Sequence, residues 1–321
     1  MSDVEALAES IRSGQGVPGN PMEVIPSALR AAFRAPRGKK FVCADLSLIE
    51  VRVLGWLTDC ASLNAIFAAE RDPYKEFAVQ MYRVSYDEVT KHQRQIAKPA
   101  VLQCGFGSGG GEVKIDSKGD EYKSGLWGYA EAMGVAMTQA EAHDAVYIYR
   151  NSYPEVPRFW YGIEDQVRKM LEPGVSAAQS SFGRLVLSML PGKLFYVTLP
   201  SGRRLHYLRP AILGDDITFE GLNSVTKQWG RRKLYGSLLT ENIVQAIARD
   251  ILAVGMVRAH DAGFDIVAHT HDELLCEVSV VDKHRNLAYL SNMMTTEIEW
   301  AKGLLIKAEG WESTEEGVYR K

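Results

Sequence analysis

From Leu46 onward, apolar residues recur at three- and four-residue intervals over Leu46 to Leu57, Cys60 to Ala69, Tyr74 to Tyr82 and Tyr86 to Gln103, which predicts a run of helices. The glycines between Gly105 and Gly111 end it. Helical spacing resumes over Tyr122 to Met133, Thr138 to Tyr149 and Pro154 to Met170, the last opening on a proline suited to a helix entry. The pattern then changes period. Residues 193–235 alternate apolar and polar positions around turn signals such as Pro200-Ser201-Gly202, which predicts β-hairpins. Leu238 to Ala262 reads as one long helix closed by Gly263. The first 25 or so residues read as a weak helix and a loose lead-in, and the chain shows no internal repeat.

Two short segments, a strand and a hairpin, stand apart because each delivers an acidic residue to a strand end. Lys39 to Ala44 reads as a buried strand leading into Asp45, and Phe264 to Ala268 with Leu274 to Val278 reads as a hairpin whose tip is His271-Asp272-Glu273. An acidic side chain at such a tip can meet a metal ion without being buried unpaired. Two aspartates far apart in sequence, both at strand ends, suit a two-metal site. A third cluster is basic: Arg94 and Lys98 are one helical turn apart and present two cations in the same direction.

Asp45-Leu46-Ser47-Leu48-Ile49-Glu50-Val51-Arg52 resembles the first polymerase motif of the family A DNA polymerases, the DNA polymerase I type. Arg94 to Lys98, ending in Cys104-Gly105-Phe106-Gly107, resembles the second motif, and His271-Asp272-Glu273 the third. The three occur in the family's order, and the resemblance covers the chain from about Asn20. Gly105 to Gly110 and Glu241 to Asp250 are closest in style to bacteriophage members. The resemblance implies an α+β right-hand fold with an antiparallel-sheet palm and largely helical fingers. It places the palm at 20–60 and 236–321, the fingers and insertions at 61–235, and a lead-in at 1–19. The 44 residues before Asp45 are too few for a thumb or a proofreading exonuclease, so the chain is expected to be a fragment, a natural C-terminal half whose other half is a separate chain, or a reduced polymerase.

What the resemblance implies for function is template-directed addition of dNTPs to a primer 3′-hydroxyl. Asp45 and Asp272, with the Leu46 carbonyl, would hold two Mg²⁺ ions, for which Mn²⁺ can substitute. Arg94 and Lys98 would take the triphosphate. Glu50 would exclude a ribose 2′-hydroxyl, and Leu102 and Phe106 would lie by the incoming base, where the family usually has a Phe or Tyr and then a Tyr. His271 would lie at the primer terminus, Gln245 would read minor-groove acceptors, and Glu273 would be an outer carboxylate. Arg52 is expected to brace the palm. Pro99, which lacks a backbone donor, is expected to bend its helix after Lys98. The other reading is a non-catalytic module that holds primer-template DNA or a replication protein.

Composition changes little of this picture. With 46% apolar residues the 321-residue chain can build a substantial core, and no apolar stretch or leader points to a membrane or to secretion, so a cytoplasmic protein is expected, in the host cell if phage-encoded. Four isolated cysteines predict reduced thiols. The net charge of −3 hides basic clusters at Arg30 to Lys40, at Lys91 to Lys98 and at Arg203 to Lys233, which suit a channel for phosphates.

Overall fold

Phe41, Val42, Cys43 and Ala44 run without a polar interruption, and the strand they form is buried on both faces. This is β1 (Lys39–Leu46). The computed structural model describes residues 33–313 except 117, 176, 177, 224 and 225, together with 10, 13 and 14. The lead-in expected at 1–19 lies almost wholly outside the described residues. The chain divides into two compact units. One comprises residues 1–47, 249–296 and 306–321, and the other residues 48–248 and 297–305.

The first unit is built on a four-stranded antiparallel sheet. β1 runs between β11 (Glu273–Ser279) and β12 (Ala308–Glu312), and β10 (Asp265–Thr270) lies outside β11. The apolar run Leu274 to Cys276 fills the sheet interior beside Val42 and Cys43. Helix α9 (Leu287–Thr295) packs on β1 and β12. The last helical turns before β10 close as expected: Gly263 takes φ +86°, its N–H donates to His260 O, and Phe264 N–H reaches back to Ala259 O. That exit sends the chain directly into the hairpin strand.

The second unit is helical in its first half. It contains α1 (Ile49–Leu57), α2 (Ala61–Ala68), α3 (Pro73–Tyr82), α4 (Lys91–Gln103), α5 (Gly125–Ala132), α6 (Gln139–Ser152) and α7 (Glu155–Met170). A short hairpin, β2 (Val113–Ile115) with β3 (Glu121–Lys123), interrupts them. Phe77, Tyr149 and Tyr153 pack edge to face and tilted in the helical core, with ring centroids 4.9–6.4 Å apart. Six strands follow as a continuous antiparallel meander: β4 (Ala178–Phe182), β5 (Leu185–Leu190), β6 (Leu194–Thr198), β7 (Arg204–Leu213), β8 (Asp216–Leu222) and β9 (Trp229–Leu234). The long helix α8 (Gly236–Asp261) begins in this unit.

Mixed helices and antiparallel sheets agree with the expected α+β class, with three local departures. Leu46 ends β1, so the helix expected from Leu46 starts at Ile49. The helix expected over Tyr86 to Gln103 breaks at Val89. Thr90 starts it afresh through a capping box in which Gln93 N–H donates to Thr90 Oγ1 and Thr90 N–H to Gln93 Oε1. Residues 121–123 form a strand because Asp116 Oδ1 accepts from Lys118 and Asp120 N–H and turns the chain back on itself. The four cysteines are free and buried, and burial pushes the Cys104 and Cys276 thiols up to about 12, so they stay neutral thiols. Among the described residues no helix is long and apolar enough to cross a membrane.

Candidate active site

The acidic residues are placed by strand register. β1 and β11 pair from Lys39 opposite Ser279 to Asp45 opposite Glu273, so Asp45 and Glu273 are direct cross-strand partners. Directly opposed residues have β-carbons about 5 Å apart on one face of the sheet. The ladder continues one step further, because Leu46 N–H donates to Asp272 O at 3.0 Å. Asp45, Leu46, Asp272 and Glu273 are therefore brought together by the backbone itself. Asp45 and Asp272 are half-buried, while Glu273 is only 7% exposed.

The turn between β10 and β11 is two residues long, His271 and Asp272, with Thr270 paired to Glu273. His271 is exposed and holds φ +53°, a conformation costly for a residue with a side chain. A second such residue, Leu48 at φ +53°, precedes α1 without any side-chain cap. Strained positions thus flank both acidic segments. Glu50 is half-buried in the first turn of α1, where a carboxylate complements the helix dipole. Arg52 is buried. Its guanidinium donates to Leu305 O at 2.8 Å and lies 4.2 Å over the Phe67 ring, both contacts within the second unit.

The basic pair sits on α4. Ile96, Ala97, Pro99, Ala100 and Val101 form the buried side, and Arg94, Lys98 and Leu102, four apart, form a half-buried stripe. The helix is continuous through Pro99, so the proline does not end it. Phe106 lies in the short 3₁₀ turn that follows, also half-buried. That turn is tightly seated. Trp160 Nε1 donates to Gly105 O at 3.0 Å, and a β-carbon at Gly105 would lie 2.5 Å from Leu54 Cδ2. At Gly107, with φ +82°, a β-carbon would lie 2.2 Å from Ser237 Oγ. Gln245 is exposed on α8 and its amide reaches Glu241 Oε1 at 3.4 Å, a contact within its own helix.

Two residues outside the sequence-predicted set join the basic pair. Asp72 caps α3, accepting from Tyr74 and Lys75 N–H, and its other oxygen accepts from Arg94 Nε at 2.5 Å. The Tyr74 ring lies 5.0 Å from the Arg94 guanidinium and 6.0 Å from Lys98 Nζ. Burial pushes the Tyr74 hydroxyl up to about 12, so at neutral pH the two cations share an uncharged aromatic neighbour. The sequence signal was Asp72-Pro73, an N-cap followed by proline at the first helical position. Among the described residues Lys98 has no carboxylate within ion-pair distance.

No set of three or more His, Cys, Asp or Glu side chains converges to hold a metal among the described residues. What the first unit does offer is hard oxygen donors: two half-buried aspartates, a third carboxylate opposite the first, and backbone carbonyls. The donor set is of the hard-oxygen kind that magnesium takes, with most of its shell left to water.

Residues 15–186 match DNA polymerase family A. The DNA polymerase of Bacillus phage SP02 is 31% identical over 295 residues, which cover 90% of this chain and 43% of the relative. DNA polymerase I of Treponema pallidum (strain Nichols) is 25% identical over 284 residues, covering 87% of this chain and 22% of the relative. A solved structure of the POL domain of Pol1 from M. smegmatis, in complex with DNA primer-template and dNTP, matches 88% of this chain and 41% of that one at a TM-score of 0.56 and 21% identity, a likeness of fold. The chain thus spans less than half the length of these relatives.

Proposed function

The chain belongs to DNA polymerase family A, and on that premise we propose that it adds deoxynucleotides to a primer 3′-hydroxyl under the direction of a template. The observation that supports this most is the strand register that sets Asp45 opposite Glu273 and ties Leu46 N–H to Asp272 O. A binding module has no use for carboxylates placed this closely. In this reading Asp45 and Asp272, with the Leu46 carbonyl, hold two magnesium ions. When bound, such a pair of ions neutralises triphosphate charge and activates the primer hydroxyl. Glu273, buried beside Asp45, keeps the local field negative. Arg94 and Lys98 hold the triphosphate, Glu50 excludes a 2′-hydroxyl, Leu102 and Phe106 line the base, and His271 and Gln245 touch primer-template DNA.

The palm is assigned to residues 20–60 and 236–321 and the fingers to 61–235. Matched to 43% of the phage relative's length, the chain is read as the catalytic part of a larger polymerase, carried on one chain or split over two, working in the cytoplasm. Primer extension with dNTPs and Mg²⁺, with manganese as a second metal, tests the reading. Extension that is lost in both Asp45→Asn and Asp272→Asn supports it. Primer-template binding without extension under either metal would instead identify a binding module.

A further inference from the structure

The six-stranded sheet has one buried face and one that is exposed along β7 and β9, although Ser188 and Thr218 on it are buried. Phe195, Val197 and Tyr207 point into the core, each at most 5% exposed. Alternation then sends Tyr196 and His206 to the other face, where β6 and β7 pair them directly and their ring centroids stand 6.0 Å apart. Arg204, also on this face, lies 4.9 Å over the Tyr196 ring. Leu208, two residues beyond His206, pairs with Glu220. Two residues beyond Glu220, Leu222 pairs with Trp229, so the same alternation puts Trp229 on the face that carries Tyr196 and His206. Trp229 is 60% exposed, and Arg204 and His206 are exposed as well.

Cations outnumber carboxylates on this face, where Lys233 also pairs with Asp216. Glu220 is shared by two guanidiniums, Arg209 at 3.0 Å and Arg231 at 3.4 Å. Arg204 has no carboxylate within ion-pair distance among the described residues. The face is therefore cationic on a chain whose net charge is −3. We propose that it binds single-stranded DNA, the rings of Tyr196, His206 and Trp229 stacking on bases and Arg204 and Arg231 holding phosphates. The inference rests on the DNA-synthesis reading and deepens it by naming a surface for the unpaired template. Strands about 4.8 Å apart set rings on neighbouring strands at intervals that suit splayed bases, and stacking of this kind accepts any base, as a copied template requires. The excess of cations favours a polyanion over a protein partner.

The test is fluorescence anisotropy of a labelled oligo(dT) with the full chain, in parallel with primer extension on a template carrying a one-nucleotide overhang. Trp229→Ala and Tyr196→Ala should each weaken oligonucleotide binding by about tenfold or more. Trp229→Phe, which keeps a ring, should stay near the parent and so separates lost stacking from misfolding. Arg204→Ala should flatten the salt dependence by about 0.7 in log–log slope for one phosphate contact. Extension across the short overhang should be unchanged in every variant. Equal affinity for oligo(dT) in the parent and all variants overturns the proposal, and is also the result expected if a protein occupies this face. An equal loss in Trp229→Phe and Trp229→Ala overturns it too. A parent that binds as expected but extends no primer would refute the polymerase reading and leave the surface standing.

Discussion

The acidic and the basic clusters hold their charges by different means. Asp45, Asp272 and Glu273 are positioned by main-chain pairing of β1 with β11, so their spacing is set by the ladder whatever the side chains are. Arg94 and Lys98 stand on a helix surface and are positioned by other side chains, the Asp72 carboxylate and the Tyr74 ring. The first arrangement suits groups that must keep a fixed separation to hold ions. The second suits groups that exchange one anion for another, a carboxylate for a phosphate, as substrate enters. Chemistry at the acidic cluster should therefore be sensitive to charge and indifferent to packing, and chemistry at the basic cluster sensitive to both.

The largest effect is expected where the carboxylates are neutralised. Asp45→Asn and Asp272→Asn should each lower primer extension roughly a thousandfold or more, since on the proposed reading each removes a charge that holds the ions. Because the register is made by backbone groups, thermal melting should hardly move. A large fall in Tm, or activity within tenfold of the parent, would show that these side chains support the fold instead. At the basic cluster, Lys98→Ala should cost about a hundredfold in kcat/KM, the scale of one lost charge donor at a developing negative charge. Single-turnover kinetics at varied dNTP would expose a smaller loss and move the triphosphate contact elsewhere on α4.

Much of this contrast was legible in the sequence, and the reasons are physical. Phe41 to Ala44 and Leu274 to Cys276 are continuous apolar runs, as strands in the interior of a sheet must be, and each borders an acidic residue. The helices α3, α6 and α7 kept their expected spans to within a few residues because a 3.6-residue period survives over ten or more residues. Short elements did not. Val113 to Ile115 and Glu121 to Lys123 are too brief to show a two-residue period, and the turn at Asp116 defines them. β12, mostly exposed and containing Gly310, has almost no strand signal of its own and is fixed by its pairing with β1. The cross-strand pairing of Glu273 with Asp45 depends on register, which no single segment encodes. Asp72 and Tyr74 lie on a different helix from Arg94, and only the packing of α3 on α4 brings them to it.

Glu50 offers a sharper, intermediate test because it belongs to neither cluster. It is half-buried at the start of α1, just after the strained Leu48. Glu50→Ala should raise the ratio of ribonucleotide to deoxynucleotide incorporation by about tenfold or more, as the removal of a steric wall does. Competition between the two substrates on one template measures the ratio directly. An unmoved ratio would make Glu50 a structural residue of the helix start.

The smallest effect should come from Asp72→Asn, and it bears most directly on the exchange of anions at Arg94. Asparagine caps a helix as well as aspartate does, so α3 keeps its first turn and the melting temperature should be unchanged. What changes is the charge beside Arg94, because the carboxylate that accepts from its Nε becomes a neutral amide. If that carboxylate competes with the triphosphate, removing its charge should lower KM for dNTP by about fivefold, the equivalent of about 1 kcal/mol between unit charges in near-aqueous surroundings. The gain should shrink as salt is raised, since both groups are partly solvated. kcat should hold. A rise in KM would mean that Asp72 aims Arg94 at the substrate instead of competing for it, and the basic cluster would then be as rigidly placed as the acidic one.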